Sequence, residues 1–313
     1  MSVTIDFSGI RLEGDADTQS PQQEMLEVFQ FLKPKPSAFP LIRIGGDCDG
    51  SYLLPDDLGG ITACFSPGVN NFKYFEDILV DKYGIDCHMC DYSSDLEKFR
   101  TPLKEGKQTF RKKWLDVKTE GNDLCLDDWV SEQSPSGDLL MQMDIEGAEY
   151  RNLLSVSDDT LRRFRIIVLE LHDLHYMKCA LVLREVISPL LRRLARTFSV
   201  AHAHPNNCCG DFAIPGSSIR IPNVFELTYV RKDRLTANTY PPLLPHPLDV
   251  SRNVLWNPPL HLGEEWLNGG RPLKSRIKMT VDTARYRSQM LQSSAQHQFA
   301  RVKRVVRRYT PYR

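Results

Sequence analysis

The ten residues MQMDIEGAEY, 141–150, set Asp144, Glu146 and Glu149 directly after an apolar run. Carboxylates so placed are costly unless they cap a helix, bind a cation or exchange protons. Asp144 is the leading candidate, because Glu149 also reads as a residue on a solvated helix face. Farther along, ELHDLH supplies Glu170, His172, Asp173 and His175, and HAHPNN supplies His202, His204, Asn206 and Asn207. On strands, Glu170 and His172 share one face, and His202 and His204 share theirs. Imidazoles converging on Asp144 suit proton abstraction, with His172 and His204 as candidate catalytic bases, because histidine titrates near neutrality. A divalent cation is the alternative, with Asp144, Glu170 and His172 as candidate ligands. A histidine merely satisfied inside the core is the competing explanation for at least one of these imidazoles.

Such residues need a scaffold that delivers strand ends to one place. Short β-like runs alternate with helical stretches: Ile61 to Phe65, a helix from Phe72 to Lys82, Ile85 to Cys90, Gln108 to Trp114, and a helix near Leu126 to Glu132. Leu139 to Ile145, a helix near Asp159 to Arg163, Arg165 to Leu171 and a long helical pattern from Lys178 to Arg196 follow. Strand alternating with helix predicts a parallel sheet covered on both faces. Phe198 to His204 and Phe225 to Val230 then read as two strands with no helix between them, an antiparallel pair closing the sheet edge. The fold class expected is α/β: a Rossmann-like, doubly wound, mostly parallel sheet with a reversed last strand, followed by a basic helical tail.

In such a sheet ligands bind beyond the carboxyl ends of the strands. After the first central strand comes Ser66-Pro67-Gly68-Val69-Asn70-Asn71, where Gly68 would let backbone approach a ligand and the free N–H groups of the next helix could hold an anion. An ordinary tight turn explains that glycine equally well, and the G-x-G-x-x-G dinucleotide fingerprint is absent. Asp91 ends the second strand, where a carboxylate can grip both hydroxyls of a ribose; a strand-end or cap role is its plainer explanation. Arg43-Ile44-Gly45-Gly46-Asp47-Cys48-Asp49-Gly50-Ser51-Tyr52 reads as a loop leading into the sheet.

The 313 residues carry 40 basic and 40 acidic side chains and are 41% hydrophobic, which excludes a chain disordered or basic throughout. The balance hides two halves. Residues 274–313 hold eleven basic residues and one acid, Asp282, a net of +10 that leaves the remainder at −10. Leu291, Ala295, Phe299, Val302, Val306 and Tyr309 recur at helical spacing among these charges. The expected organisation is a cap segment over 1–40, the Rossmann-like domain over 41–235, an irregular Pro/Gly-rich segment over 236–273, and a basic amphipathic helical tail over 274–313. The amino terminus lacks the pattern of a secretory signal, no run is long enough to span a bilayer, and the eight cysteines show no complete zinc set, so reduced cysteines and a cytoplasmic location are expected. Cys87 and Cys90 lie three apart on one strand and therefore on opposite faces, which makes a structural role the better reading of that C-x-x-C.

Taken in order, RIGGDCDGSYLLPDD, FSPGVNNFKYFEDIL, HMCDYSSD, DLLMQMDIEGAEY and RIIVLELHDL resemble the FkbM-type methyltransferases, a branch of the class I S-adenosylmethionine-dependent enzymes, over residues 41 to 232. D-I-E-G-A-E-Y is the most specific segment. The resemblance implies S-adenosyl-L-methionine as cofactor and O-methylation of a hydroxyl, often on a sugar of a glycan or natural product. It also implies Gly68, Asn70 and Glu76 near the methionine end, Asp91 at the ribose, Asp49 and Tyr52 closing the site, and Asp144 beside them. Ser66 stands where the wider class commonly has an acidic residue, and it joins the cofactor-binding set in that position.

These readings give in-line methyl transfer to a sugar hydroxyl, with His172 or His204 as base and Asp144 as orienter or cation ligand. The tail is expected to meet an anionic membrane surface or a protein partner; nucleic acid is disfavoured, since no nucleic-acid module is visible. The contrasting function class is a non-catalytic binding or scaffold protein of methyltransferase fold, attached through its basic tail to membrane or nucleic acid.

Overall fold

The computed structural model describes residues 3–46, 49–134, 136–237, 239–250, 252–268 and 270–309, without the side chains of residue 3 and of 294–309. Alternating VTIDF and IRLEG flank Ser8-Gly9 and pair as a tight hairpin, β1 (Val3–Phe7) with β2 (Ile10–Gly14), which the cap-segment reading did not contain. Helix α1 (Gln22–Leu32) follows and stops before the proline series. A second hairpin, β3 (Leu41–Ile44) with β4 (Tyr52–Pro55), brackets the glycine-aspartate turn that reads from sequence as a plain loop. Asp47 and Cys48 of that turn lie outside the described residues.

The doubly wound part comprises β5 (Ile61–Pro67), α2 (Tyr74–Tyr83), β6 (Asp86–Cys90), β7 (Gln108–Arg111), the short pair β8 (Trp114–Leu115) and β9 (Asp123–Leu124), α3 (Leu126–Gln133) and β10 (Asp138–Met143). It continues through α4 (Glu149–Ser155), α5 (Asp158–Arg163) and β11 (Phe164–Leu171). The expected helix over 178–196 forms as one continuous helical run over 180–197 with a π turn inside it: α6 (Ala180–Val182), the π turn (Leu183–Ile187) and α7 (Ser188–Thr197), with Pro189 seated in the first turn of α7. β12 (Phe198–Pro205), the small hairpin β13 (Asp211–Ala213) with β14 (Arg220–Pro222), and β15 (Phe225–Arg231) complete the sheet region.

The sheet order is β12-β15-β11-β10-β5-β6-β7. β10 runs parallel to β5 and β11, and β5, β6 and β7 are parallel neighbours, whereas β15 is antiparallel to both β11 and β12. The reversed strand is therefore inserted between β11 and β12, and β12 rather than β15 forms the edge. Its side chains still alternate. Ala63, Phe65, Leu139, Met141, Ile167 and Leu169 feed a large core under α1, α3, α4 and α7, while Cys64, Leu140, Ile166 and Val168 meet α2 and the β3–β4 hairpin on the other face. Cys87 belongs to the second core and Cys90 to the first, on opposite faces as the spacing requires.

Residues 236–273 contain little regular structure but are no loose linker. Leu244, Leu262, Trp266 and Leu267 are buried in the large core, and Trp266 packs edge-on against Phe29 and Phe225. Helix α8 (Leu273–Tyr309) ends the described chain. The part of the expected amphipathic pattern carried by Ala295, Phe299, Val302, Val306 and Tyr309 lies outside the described side chains. Among the described residues no helix is long and apolar enough to cross a membrane, and the seven described cysteines are all free.

Candidate active site

Two loops at the carboxyl ends of β5 and β10 touch. Gly68, at φ +83°, donates its N–H to the Cys90 carbonyl, and Asp144 N–H donates to the Pro67 carbonyl. A Cβ on Gly68 would lie 1.6 Å from the Asp144 carbonyl oxygen. Glycine is required there by the approach of the two strand ends as much as by any ligand.

Asp91 braces the same loop. One carboxylate oxygen accepts from Asn70 N–H (2.9 Å) and Ser94 Oγ (2.7 Å), the other from Ser93 N–H (2.8 Å) and Ser93 Oγ (2.6 Å). Burial would raise its pKa, but the serine and backbone donors outweigh burial and hold it below the usual value. All four of its acceptor positions are thus engaged, so a ribose reaches this carboxylate only if the two serine hydroxyls turn aside.

The loop after β10 is built around Glu149. Its Oε1 accepts from the N–H groups of Ile145 (3.0 Å) and Gly147 (3.2 Å) and lies 3.2 Å from Nδ1 of His172. Glu149 is fully buried, not on a solvated helix face, and its second oxygen has no partner. These bonds hold Glu146 and Gly147 at positive φ, +55° and +98°, so that the chain turns sharply and exposes Glu146. Nε2 of His172 then faces Asp144 at 3.8 Å and Glu146 at 3.5 Å.

The charges in this group are strongly linked. Burial lifts the Asp144 carboxyl to about 7; the His172 charge opposes this, and Glu146, Glu149 and Asp49 reinforce it. Burial alone would lower His172, but the Glu149 hydrogen bond and the surrounding carboxylates outweigh it and raise the imidazole to about 9. At neutral pH His172 is therefore a held cation, and Asp144, with one buried oxygen unpartnered, is the group poised to gain or lose a proton.

Asp144 and Glu146, though not His172 or Glu149 behind them, line a cavity of about 580 Å³ together with Gly68, Asn70, Asp91 and Trp114, among others. Its size suits a ligand of cofactor dimensions. Lys113 and Arg151 also line it, but their charged ends are directed elsewhere, Lys113 to the carbonyls of Gly121 and Asp123 and Arg151 to Asp116 and the Ser8 carbonyl. The net field in the cleft favours a cationic ligand. An adjoining cavity of about 110 Å³ gathers Asp49, Tyr52, Gly68, Asn70, Glu76, Gln142 and Asp144. Burial raises Glu76 there to about 7 against a hydrogen bond with Ser66. Burial and four nearby carboxylates, led by Glu170, push the Tyr52 hydroxyl well up.

Two candidates fall elsewhere. His204 is separated from Asp144 by the intervening strands β15 and β11, opposite Glu226 in register, and its Nδ1 lies 3.7 Å from Asp249 of the irregular segment. It lines neither of the two cavities above. Glu170 accepts from Asn206 (2.8 Å) and groups with Asp49 and Glu226, whereas the side chains close enough to share a cation with Asp144 and His172 include Glu149 instead. Asn253 links the first group to the irregular segment by donating to Asp49 (2.8 Å) and Glu226 (2.6 Å).

Sequence reasoning missed three parts of this site. Glu149 was legible only as one of three acids after an apolar run, or as a residue on a solvated helix face; its return to the loop N–H groups needed the turn at Glu146. Ser8 and Gly9 form a wall of the larger cavity, with Ser8 Oγ donating to the Gly147 carbonyl (2.5 Å), and the Ser-Gly turn between alternating strands was their signal. Trp114 ends up on the cavity wall because β7 stops at Arg111 and the chain re-forms as β8.

Residues 63–202 match the family model described as the Methyltransferase FkbM domain. The matched stretch runs from β5 to β12 and contains Gly68, Asp91, Asp144, Glu149 and His172; both N-terminal hairpins, the irregular segment and α8 lie outside it. No curated protein matches the chain. The family match suggests methyltransferase activity.

Proposed function

We propose that this chain, which carries an FkbM-type methyltransferase domain, transfers a methyl group from S-adenosyl-L-methionine to a hydroxyl, most simply that of a sugar in a glycan or glycosylated natural product. The observation that carries the reading is the meeting of the Gly68 loop, Asp91, Asp144 and Glu146 around one electronegative cavity, with His172 and Glu149 behind Asp144. S-adenosylmethionine supplies a methyl on a positively charged sulfur, and a cleft lined by Asp49, Asp91, Asp144 and Glu146 fits a cation of that kind.

In this reading Asn70 and Glu76 meet the amino-acid end, Tyr52 and Asp49 close it, Ser66 acts through Glu76, and Asp91 takes the ribose once Ser93 and Ser94 release it. As the acceptor oxygen gains the methyl and the carbon–sulfur bond breaks, the hydroxyl proton passes to a carboxylate oxygen of Asp144. His172 positions that carboxylate, and Glu149 fixes the imidazole through Nδ1. His204 has no part in the step. Asp144, Glu149 and His172 are the side chains that would hold a divalent cation beside this carboxylate.

The test is mass spectrometry of a glycan panel incubated with the full chain and S-adenosylmethionine. A gain of one methyl, lost in Asp144→Asn and reduced in His172→Asn, is expected; no gain with any hydroxyl acceptor overturns the reading. One observation favours a second reading, a binding protein without turnover: the fully engaged Asp91. Absence of S-adenosylmethionine binding would select it.

A further inference from the structure

Helix α8 is fixed to the body by one face and presents a different chemistry on the other. Ser275 and Asp282 are buried on the inner face, where Lys278 pairs with Asp282 at 3.1 Å. The guanidinium of the buried Arg252 sits 5.3 Å over the Tyr286 ring and donates to Gln289, which sets the rotation of the helix.

With that rotation, Leu273, Ile277, Val281, Ala284 and Leu291 form one outward stripe at helical spacing. The four large side chains are 70%, 55%, 39% and 72% exposed. Lys274 and Arg285 flank the stripe on one side and Arg276 and Arg287 on the other, all exposed. The only acid between residues 273 and 293, Asp282, faces the other way.

We propose that this face of α8 docks on an anionic lipid bilayer, the apolar stripe entering the acyl boundary and the basic flanks meeting the headgroups. An apolar centre rimmed on both sides by one sign of charge is what an interfacial helix needs, and each basic residue near an anionic surface adds about 1 kcal/mol. Charge complementarity selects the occupant. The −10 remainder of the chain is repelled by the same surface, so the attraction is confined to this helix and to the six further basic residues that the sequence carries over 301–313. Nucleic acid would satisfy the charges but leave the apolar stripe in water.

Cosedimentation of the full chain with vesicles of equimolar phosphatidylcholine and phosphatidylserine, against vesicles of phosphatidylcholine alone, tests the proposal. Binding is expected to the anionic vesicles only, weakened at least about tenfold in Arg285→Glu/Arg287→Glu and likewise in Ile277→Glu, each with unchanged thermal stability because these positions are exposed. Equal pelleting with both vesicles, or full binding by Ile277→Glu, overturns it. So does a solution dimer, or capture of RNA or DNA, that Ile277→Glu or the arginine reversals abolish while vesicle binding is absent. None of these readouts depends on methyl transfer.

Discussion

Two buried groups in this protein pair histidine with carboxylate, and they differ in what covers them. His172 stands between Glu149 and Asp144, of which Asp144 lines a cavity, and the group keeps unpartnered oxygens on both carboxylates. His202 and His204 converge on Asp249, whose carboxylate receives His202 Nε2 at 2.8 Å and the His246 N–H at 2.7 Å, beneath the irregular segment. The same residue types therefore make a site in one place and a fastening in the other. Local chemistry does not separate them; access does.

The sharpest break to that comparison is Gly68→Ala. The added Cβ would meet the Asp144 carbonyl and the residue would have to keep positive φ, so a loss of about 3 kcal/mol or more in urea unfolding, with loss of cofactor binding, is expected. A stable variant that binds normally would show that the two loops move apart freely.

Asp249→Asn strikes the fastening. Leaving the buried His204 imidazole without its counter-charge and His202 without its hydrogen-bond partner costs about 3 kcal/mol, and the irregular segment over 239–258 should gain amide exchange while S-adenosylmethionine affinity stays within about twofold. An unchanged unfolding midpoint would remove the fastening role.

Asp144→Asn strikes the site instead: turnover should fall at least about a hundredfold with little change in thermal stability. His172→Asn, which removes one charged hydrogen bond, should cost about tenfold. Because Asp144 titrates at about 7 and must accept a proton, kcat/KM is expected to rise with pH through that value and level off above it. A flat profile from pH 5 to 9 would deny Asp144 the role of base.

The smallest effect expected is a pH slope in stability. Burial would lower His204, but Glu226 and Asp249 outweigh it and raise it from 6.5 to about 9. A raised folded pKa contributes stability that is full below 6.5 and lost as pH rises through 9. His172 contributes in the same direction. His204→Gln should flatten, without abolishing, the fall in Tm across that window; an identical slope would mean that His204 is not charged in the fold.

The central strands were largely legible, though not their order in the sheet, because buried parallel strands such as LLMQM and IIVLEL are almost continuously apolar. His204 was grouped with His172 because alternation along a strand tells which face a side chain takes, not which strand lies beside it. Insertion of β15 adds one strand spacing, roughly 5 Å, between β12 and β11. Nor does a segment without periodicity announce that Asp249 and Asn253 reach back to β12 and β15. Glu149 hid for another reason: its partners are backbone N–H groups of a turn, which leave no mark in side-chain pattern.

Methyl transfer as proposed requires S-adenosylmethionine to bind in the cavity lined by Gly68, Asp91 and Asp144, and calorimetric titration of the full chain with that compound tests this most directly. One-site binding is predicted in the native protein, retained in His204→Gln and lost in Gly68→Ala. Absence of binding to the native protein, or binding that survives Gly68→Ala with unchanged affinity, would contradict it.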